Sequence, residues 1–208
     1  MSEWWTYRLS DFLMFSPKTY WRLLELYNRQ FWPAQMLLTL VGLLALVLAK
    51  SQKSSAGPAL VMLLAMAWLG VGWAFHWQRY AAINWAAQYL AAACVVQALL
   101  LLGLGMAAMR CQQGAVFATP ISGWRRKLGW TLSTAALAYP LAAVATGQGW
   151  THAEVWGLMP EPTALFSLGL LKLSPYFDTS TRFQQALLTV IPVLSLVIGG
   201  ATRWAIAG

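Results

Sequence analysis

Charged residues are sparse along this chain, and the gaps between them set out its organisation. Between successive Asp, Glu, Lys or Arg residues lie long charge-free runs at 30–49, 54–78, 80–109, 128–153 and 183–202, with a shorter one at 162–171. A helix needs about 20 predominantly apolar residues to cross the hydrocarbon of a bilayer, so each of the first five runs accommodates one. The first span opens at Pro33, where a first-turn proline costs little because its missing N–H would have been unpaired, and it closes at Ala49 before Lys50. The polar turn KSQKSSAGP leads to the second span at Pro58, which ends in the aromatic run Trp73, Phe75, Trp77. The third covers 80–109, its entry marked only by His76, Gln78 and Arg79. The fourth, 128–147, follows Arg125, Arg126 and Lys127 and carries Pro140 as an expected kink. The sixth, 184–204, holds Pro192 and ends near Gly199-Gly200.

Segment 162–177 fits less well. Ten charge-free residues, 162–171, give about 15 Å of helix, half the hydrocarbon thickness. It crosses with Lys172 reaching an interface, or it enters and leaves on one side. Crossing gives an all-α, polytopic transmembrane helix bundle of about six spans over 33–208.

Residues 1–32 form a separate aromatic segment. Glu3 and Asp11 near its start and the lack of a small-residue cleavage site set it apart from a signal peptide. Ser16-Pro17 predicts a cap and first-turn proline for a helix over about 17–31. Tyr20, Leu23, Leu24, Tyr27 and Phe31 share one face at 3/4 spacing. Such an amphipathic helix lies in the membrane interface, packs on the bundle, or offers a partner-docking face at Tyr20, Leu24 and Tyr27.

Composition supports the membrane reading. Hydrophobic residues make up 59% of the 208 and charged residues 10%, against about 25% charged in soluble domains. A net charge of +8 points to basic cytoplasmic loops rather than to nucleic acid. In a six-span chain, one side holds Lys50, Lys53, Arg110, Arg125, Arg126, Lys127, Lys172 and Arg182. The other has only Arg79 and Arg203 near its loops, plus four basic residues in the N-terminal segment offset by acidic ones. The richer side is expected to be cytoplasmic, with the N-terminus outside a bacterial inner membrane. Most of the 13 tryptophans sit at span ends, among them Trp32, Trp73, Trp77, Trp124, Trp130, Trp150 and Trp204, as interface anchors.

Chemistry is thinly written. P-loop, H-E-x-x-H, G-x-S-x-G and C-x-x-C motifs are missing, and no catalytic residue, cofactor or metal set is assigned. Cys94 reads as packing, and Cys111 beside Arg110 makes no mechanism alone. Tyr80, Asn84 and Gln88, at i, i+4 and i+8, predict a polar stripe running inward from His76 and Arg79. That stripe lines a wet vestibule for a small solute or ion, or it joins helices by hydrogen bonds. The run THAEVWGLMPEP (151–162) adds His152, Glu154 and Glu161 on the same side. Its residues relay protons or hold an ion, or are a solvated loop whose Glu154 or Glu161 pairs with Arg79. These eight residues are the candidate ligand or vestibule set. Transport or permeation is the leading expectation, and a non-catalytic accessory or assembly subunit is the alternative.

Three segments, WWTYRLSDFLMFSPKTYWRLLELYN at the start, GWAFHWQRYAAINWAAQY around 72–89, and EVWGLMPEPTALFSLGLL at 154–171, resemble a bacterial family of small membrane proteins classified only as a domain of unknown function. The resemblance implies a multi-span inner-membrane protein and supplies no activity.

Overall fold

A computed structural model describes residues 13–51, 56–110, 123–174 and 181–207. Among them the regular elements are helical: α1 (Pro17–Gln30), α2 (Ala34–Lys50), α3 (Ala56–Gly70), α4 (Ala87–Arg110), α5 (Gly123–Ala138), α6 (Pro140–Ala145), α7 (Pro160–Leu173) and α8 (Arg182–Ala207). A π-helical turn, Val71–Trp77, prolongs α3, and 3-10 turns cover Tyr80–Ala82 and Trp150–His152. The expectation of an all-α chain holds.

Among the described residues three stretches are long and apolar enough to cross a membrane, Ala56–Ala82, Ala87–Ala107 and Arg182–Ile206. The pair α1 and α2, bent by 79°, makes a fourth if counted as one span. That is fewer than six. α5 carries Arg125, Arg126 and Lys127 in its first turn and stops before Pro140. α7 has 14 residues, about 21 Å at 1.5 Å per residue. Residues 175–177 of the expected fifth span lie outside the described residues, as do Cys111, Asp178, Lys53 and the first twelve residues.

Helix order follows from close approaches. A Cβ on Gly105 would lie 3.0 Å from Val61, and one on Gly72 would lie 2.8 Å from Cys94, so α3 and α4 run antiparallel. Likewise Gly129 meets Leu173 and Gly169 meets Ser133, so α5 and α7 run antiparallel. Small residues allow that contact, as between helices packed in lipid. Exposed positions hold large apolar side chains, Leu40, Leu43, Leu44 and Val47 on α2, Val95, Val96 and Leu99 on α4, and Val190, Val193 and Val197 on α8. Buried positions hold many alanines: Ala45, Ala65, Ala67, Ala91, Ala98, Ala136 and Ala164. Large side chains outward and small ones inward suit a lipid surround. Trp32, Trp73, Trp77, Trp124, Trp150 and Trp204 are exposed, whereas Trp130 packs against the core.

α7 is the central element. Its residues 160–164, 166, 167, 169–171 and 173 are buried, and so is the non-helical stretch 153–159 before it. Irregular backbone at this depth needs internal partners, and α1 and α2 help supply them. Asn28 Nδ2 donates to the Thr151 and Ala153 carbonyls at 2.8 and 2.9 Å. Tyr27 donates to the Leu158 carbonyl at 3.2 Å. Trp156 Nε1 donates to the Leu38 carbonyl at 2.8 Å, its ring lying against Gly42. Thr163 Oγ1 accepts from Gly157 N and donates to the Met159 carbonyl, both at 2.7 Å, and Gly157 turns the chain at φ 81°.

Of the three readings of α1, this docking matches packing on the bundle. The helix starts as predicted, with Ser16 Oγ accepting from Thr19 N at 3.2 Å ahead of Pro17. The Tyr20, Leu24 and Tyr27 face, however, is buried against the chain's own bundle and is closed to lipid or a partner. Its outward side carries Glu25 between Arg22 and Arg29, each at 2.7 Å. The Arg22 hydrogen bond holds the Glu25 carboxyl below its ordinary range.

A correction concerns the entry to the third span. The break falls at 83–86 rather than at 76–79, because the π turn carries helix through Trp77 and Asn84 Oδ1 accepts from Ala86 N at 3.0 Å. A side chain that satisfies a nearby backbone N–H competes with helix continuation.

Candidate functional site

The π turn and the start of α7 build the site. A π-helical turn widens the hydrogen-bonded ring to i→i+5, and here it buries Phe75 and His76 as neighbours. Phe75 stacks on Tyr80 with centroids 5.6 Å apart, and Tyr20 of α1 meets Tyr80 edge-on at 6.2 Å. These rings form one wall of a cavity of about 100 Å3, with Glu161 from α7 and Ser195, Gly199 and Thr202 from α8 opposite. Trp68, Cys94, Leu90, Ala93, Leu194 and Ile198 are among its other lining residues. The Tyr80 hydroxyl meets the side chains of Asn84 and Thr202. His76 is 4% exposed, and its Nδ1 has no hydrogen-bond partner among the described residues. Gly199 leaves room here for the Glu161 carboxylate, which occupies the space a Cβ would take.

Beside the cavity lies an ion pair. Glu154, 4% exposed, forms an ion pair with Arg203 through Nη2, and the Arg203 guanidinium sits 5.4 Å from the centroid of the Tyr139 ring. Glu154, Glu161 and Arg203 are within Coulombic reach of one another. A buried pair of this kind gains its attraction against a large desolvation cost, so it is a weak source of stability and a strong constraint on charge placement.

The eight expected residues therefore separate into four places. His76, Tyr80 and Glu161 line the cavity, and Glu154 stands next to it through Arg203. Arg79 pairs with Gln30 rather than with a glutamate, and it shares with His152 an open groove along α1. His152 Nδ1 lies 2.8 Å from the Gln148 carbonyl, and its ring meets Trp21 edge-on at 5.6 Å. Asn84 caps α4, and Gln88 is exposed on its first turn. The continuous stripe is absent because no helix joins Tyr80 to Gln88.

Tyr20, Ser195, Thr202 and Arg203 escaped the sequence reading. Arg203 had a visible signal: it closes a 20-residue charge-free run (183–202) in a chain whose candidate loop carries two carboxylates. Tyr20 had none beyond its place on an apolar face. Among the described residues, no three His, Cys, Asp or Glu side chains come together as a metal site.

Among the described residues, these features define an all-helical protein with helices long and apolar enough to cross a membrane and a small, acid-bearing aromatic cavity between them. The chain belongs to a family of unknown function, DUF6064, whose model matches residues 17–206. No curated protein and no solved structure matches it.

Proposed function

We propose that the protein carries or admits a small solute across the bacterial inner membrane, with the His76–Tyr80–Glu161 cavity as its site. The observation that supports this most directly is a glutamate and a histidine, the histidine with a ring nitrogen unpartnered among the described residues, lining one cavity between apolar helices. Polar groups in that setting are expensive, and where they persist they mark solute or proton pathways. Irregular backbone at membrane depth, here 153–159 leading into a short central helix, recurs beside such sites. The side bearing eight Lys and Arg is read as cytoplasmic, which places α1 and the 153–159 segment outside. An accessory subunit docking through Tyr20, Leu24 and Tyr27 is disfavoured, because those residues are already covered.

The test is access and flux. In a variant lacking Cys94 and Cys111, Ser195→Cys should react with a small membrane-impermeant thiol reagent applied outside. Proteoliposomes holding the wild-type chain should pass a small solute that protein-free vesicles retain. An unreactive thiol in a folded variant, with no flux above background for any solute, overturns the proposal.

A further inference from the structure

Taking the cavity as the solute site, we infer that its ligand is a short-chain alkylammonium cation, held by Glu161 and His76 and enclosed by Tyr20, Phe75 and Tyr80.

The first argument is charge. Glu154 is matched by Arg203, and among the described residues no Lys or Arg lines the cavity. The buried cluster therefore has one carboxylate, that of Glu161, in excess of its cation. A buried carboxylate without a counter-charge is costly and takes up a proton instead, and a bound cation supplies the charge that the chain does not.

Donor and acceptor chemistry is the second argument. The carboxylate of Glu161 only accepts when ionised. His76 Nδ1 is unpartnered among the described residues, and Ser195, Thr202 and the tyrosine hydroxyls can all accept. A ligand with several N–H donors satisfies that set. A metal ion fits poorly, since hard cations want six or more oxygens at close range.

Shape is the third. About 100 Å3 compares with the ~150 Å3 that holds a benzene in an engineered cavity. Aromatic faces attract an organic cation by a further electrostatic term. The rim is apolar, with Leu194 51% and Ile198 37% exposed on the bundle surface. A ligand with a short alkyl tail covers that rim, and ammonium ion alone does not.

Thermal unfolding and calorimetric titration of the purified full-length chain in detergent, at constant ionic strength, test the inference. Propylammonium chloride should stabilise the protein saturably, more than ammonium, sodium or potassium chloride. Glu161→Gln should stay folded, since it removes the unmatched charge, and should weaken propylammonium about 10- to 100-fold, the value of a hydrogen bond to a charged group. Ala93→Leu should produce a comparable loss by filling space without altering charge. Leu99→Ala, on the lipid-facing side of α4, should bind like wild type. No saturable effect beyond sodium chloride, or full affinity retained in both Glu161→Gln and Ala93→Leu, overturns the inference.

Flux separates this from the broader reading. Glycerol passage blocked by Ala93→Leu, with no propylammonium binding, overturns the ligand class and leaves transport standing. Propylammonium binding that both variants abolish, without flux of any solute, supports the ligand and overturns transport.

Discussion

At the scale of single residues, two buried polar contacts have causes that can be traced through the chain. Pro192 lies inside α8, where its missing N–H leaves the carbonyl of residue i−4 without its helical partner. That carbonyl belongs to Leu188, and Gln97 Nε2 of α4 donates to it at 3.1 Å from a fully buried position. Gln97→Leu should therefore cost about 0.6–1.7 kcal/mol, the range for interhelical hydrogen bonds in membranes. In a Pro192→Ala background, Leu188 regains a backbone donor and the same change should cost close to nothing. Equal losses in both backgrounds, read by denaturant unfolding in micelles, would separate the glutamine from the proline. The Glu154–Arg203 pair behaves differently. Arg203→Leu strands a buried carboxylate and should cost about 3–5 kcal/mol, while the double variant Glu154→Gln with Arg203→Leu should recover most of that loss. A double variant as unstable as the single one would mean that Arg203 acts through Tyr139 and packing, not through charge.

At the scale of elements, the α5–α7 crossing depends on Gly129, Ser133 and Gly169. A Cβ at Gly169 would lie 2.7 Å from Ser133 N and 2.9 Å from the Gly129 carbonyl, backbone atoms that cannot step aside alone. Gly169→Ala should cost about 1–3 kcal/mol, the usual penalty for overpacking. Gly103→Ala and Gly200→Ala meet nothing within 4 Å and should be neutral or stabilising by up to ~1 kcal/mol through helix propensity. Thermal midpoints of the three variants check the contrast. The signals that were legible in the sequence are local ones: the Ser16-Pro17 cap, an interruption at Pro140, expected as a kink and found as a break between two helices, and the exposure of most of the span-end tryptophans. The misplaced break at 76–79 reflects a polar cluster, His76, Gln78 and Arg79, that looks like a loop. A π turn buries His76 instead, and hydropathy cannot distinguish a polar residue turned inward from one in water. The burial of α7 was equally hidden, because a short apolar stretch reads the same whether lipid or protein surrounds it. The partner of Glu154 was sought in Arg79 and lies in Arg203, since nothing local to either segment encodes which distant element it meets.

At the scale of the whole molecule, the antiparallel order ties the site to one end of the bundle. Glu161 begins α7 and reaches Gly199 late in α8, while Leu173 ends α7 beside Gly129 early in α5. The cavity, the Glu154–Arg203 pair and α1 therefore share an end, and the basic starts of α5 and α8 share the other. The positive-inside rule counts Lys and Arg in short segments near span ends, and under the proposed function the second end is the cytoplasmic one. Gln148 and Gly123, both exposed, sit at opposite ends of the α5–α6 unit. In intact cells expressing a chain without Cys94 and Cys111, Gln148→Cys should label with an impermeant thiol reagent, and Gly123→Cys should label only after permeabilisation. The reverse pattern would turn the protein over and make its site face the cytoplasm, leaving the cavity chemistry unchanged. Labelling of both from outside would mean that α5 and α6 together do not cross, and α7, which packs along α5, would then return to the side it entered.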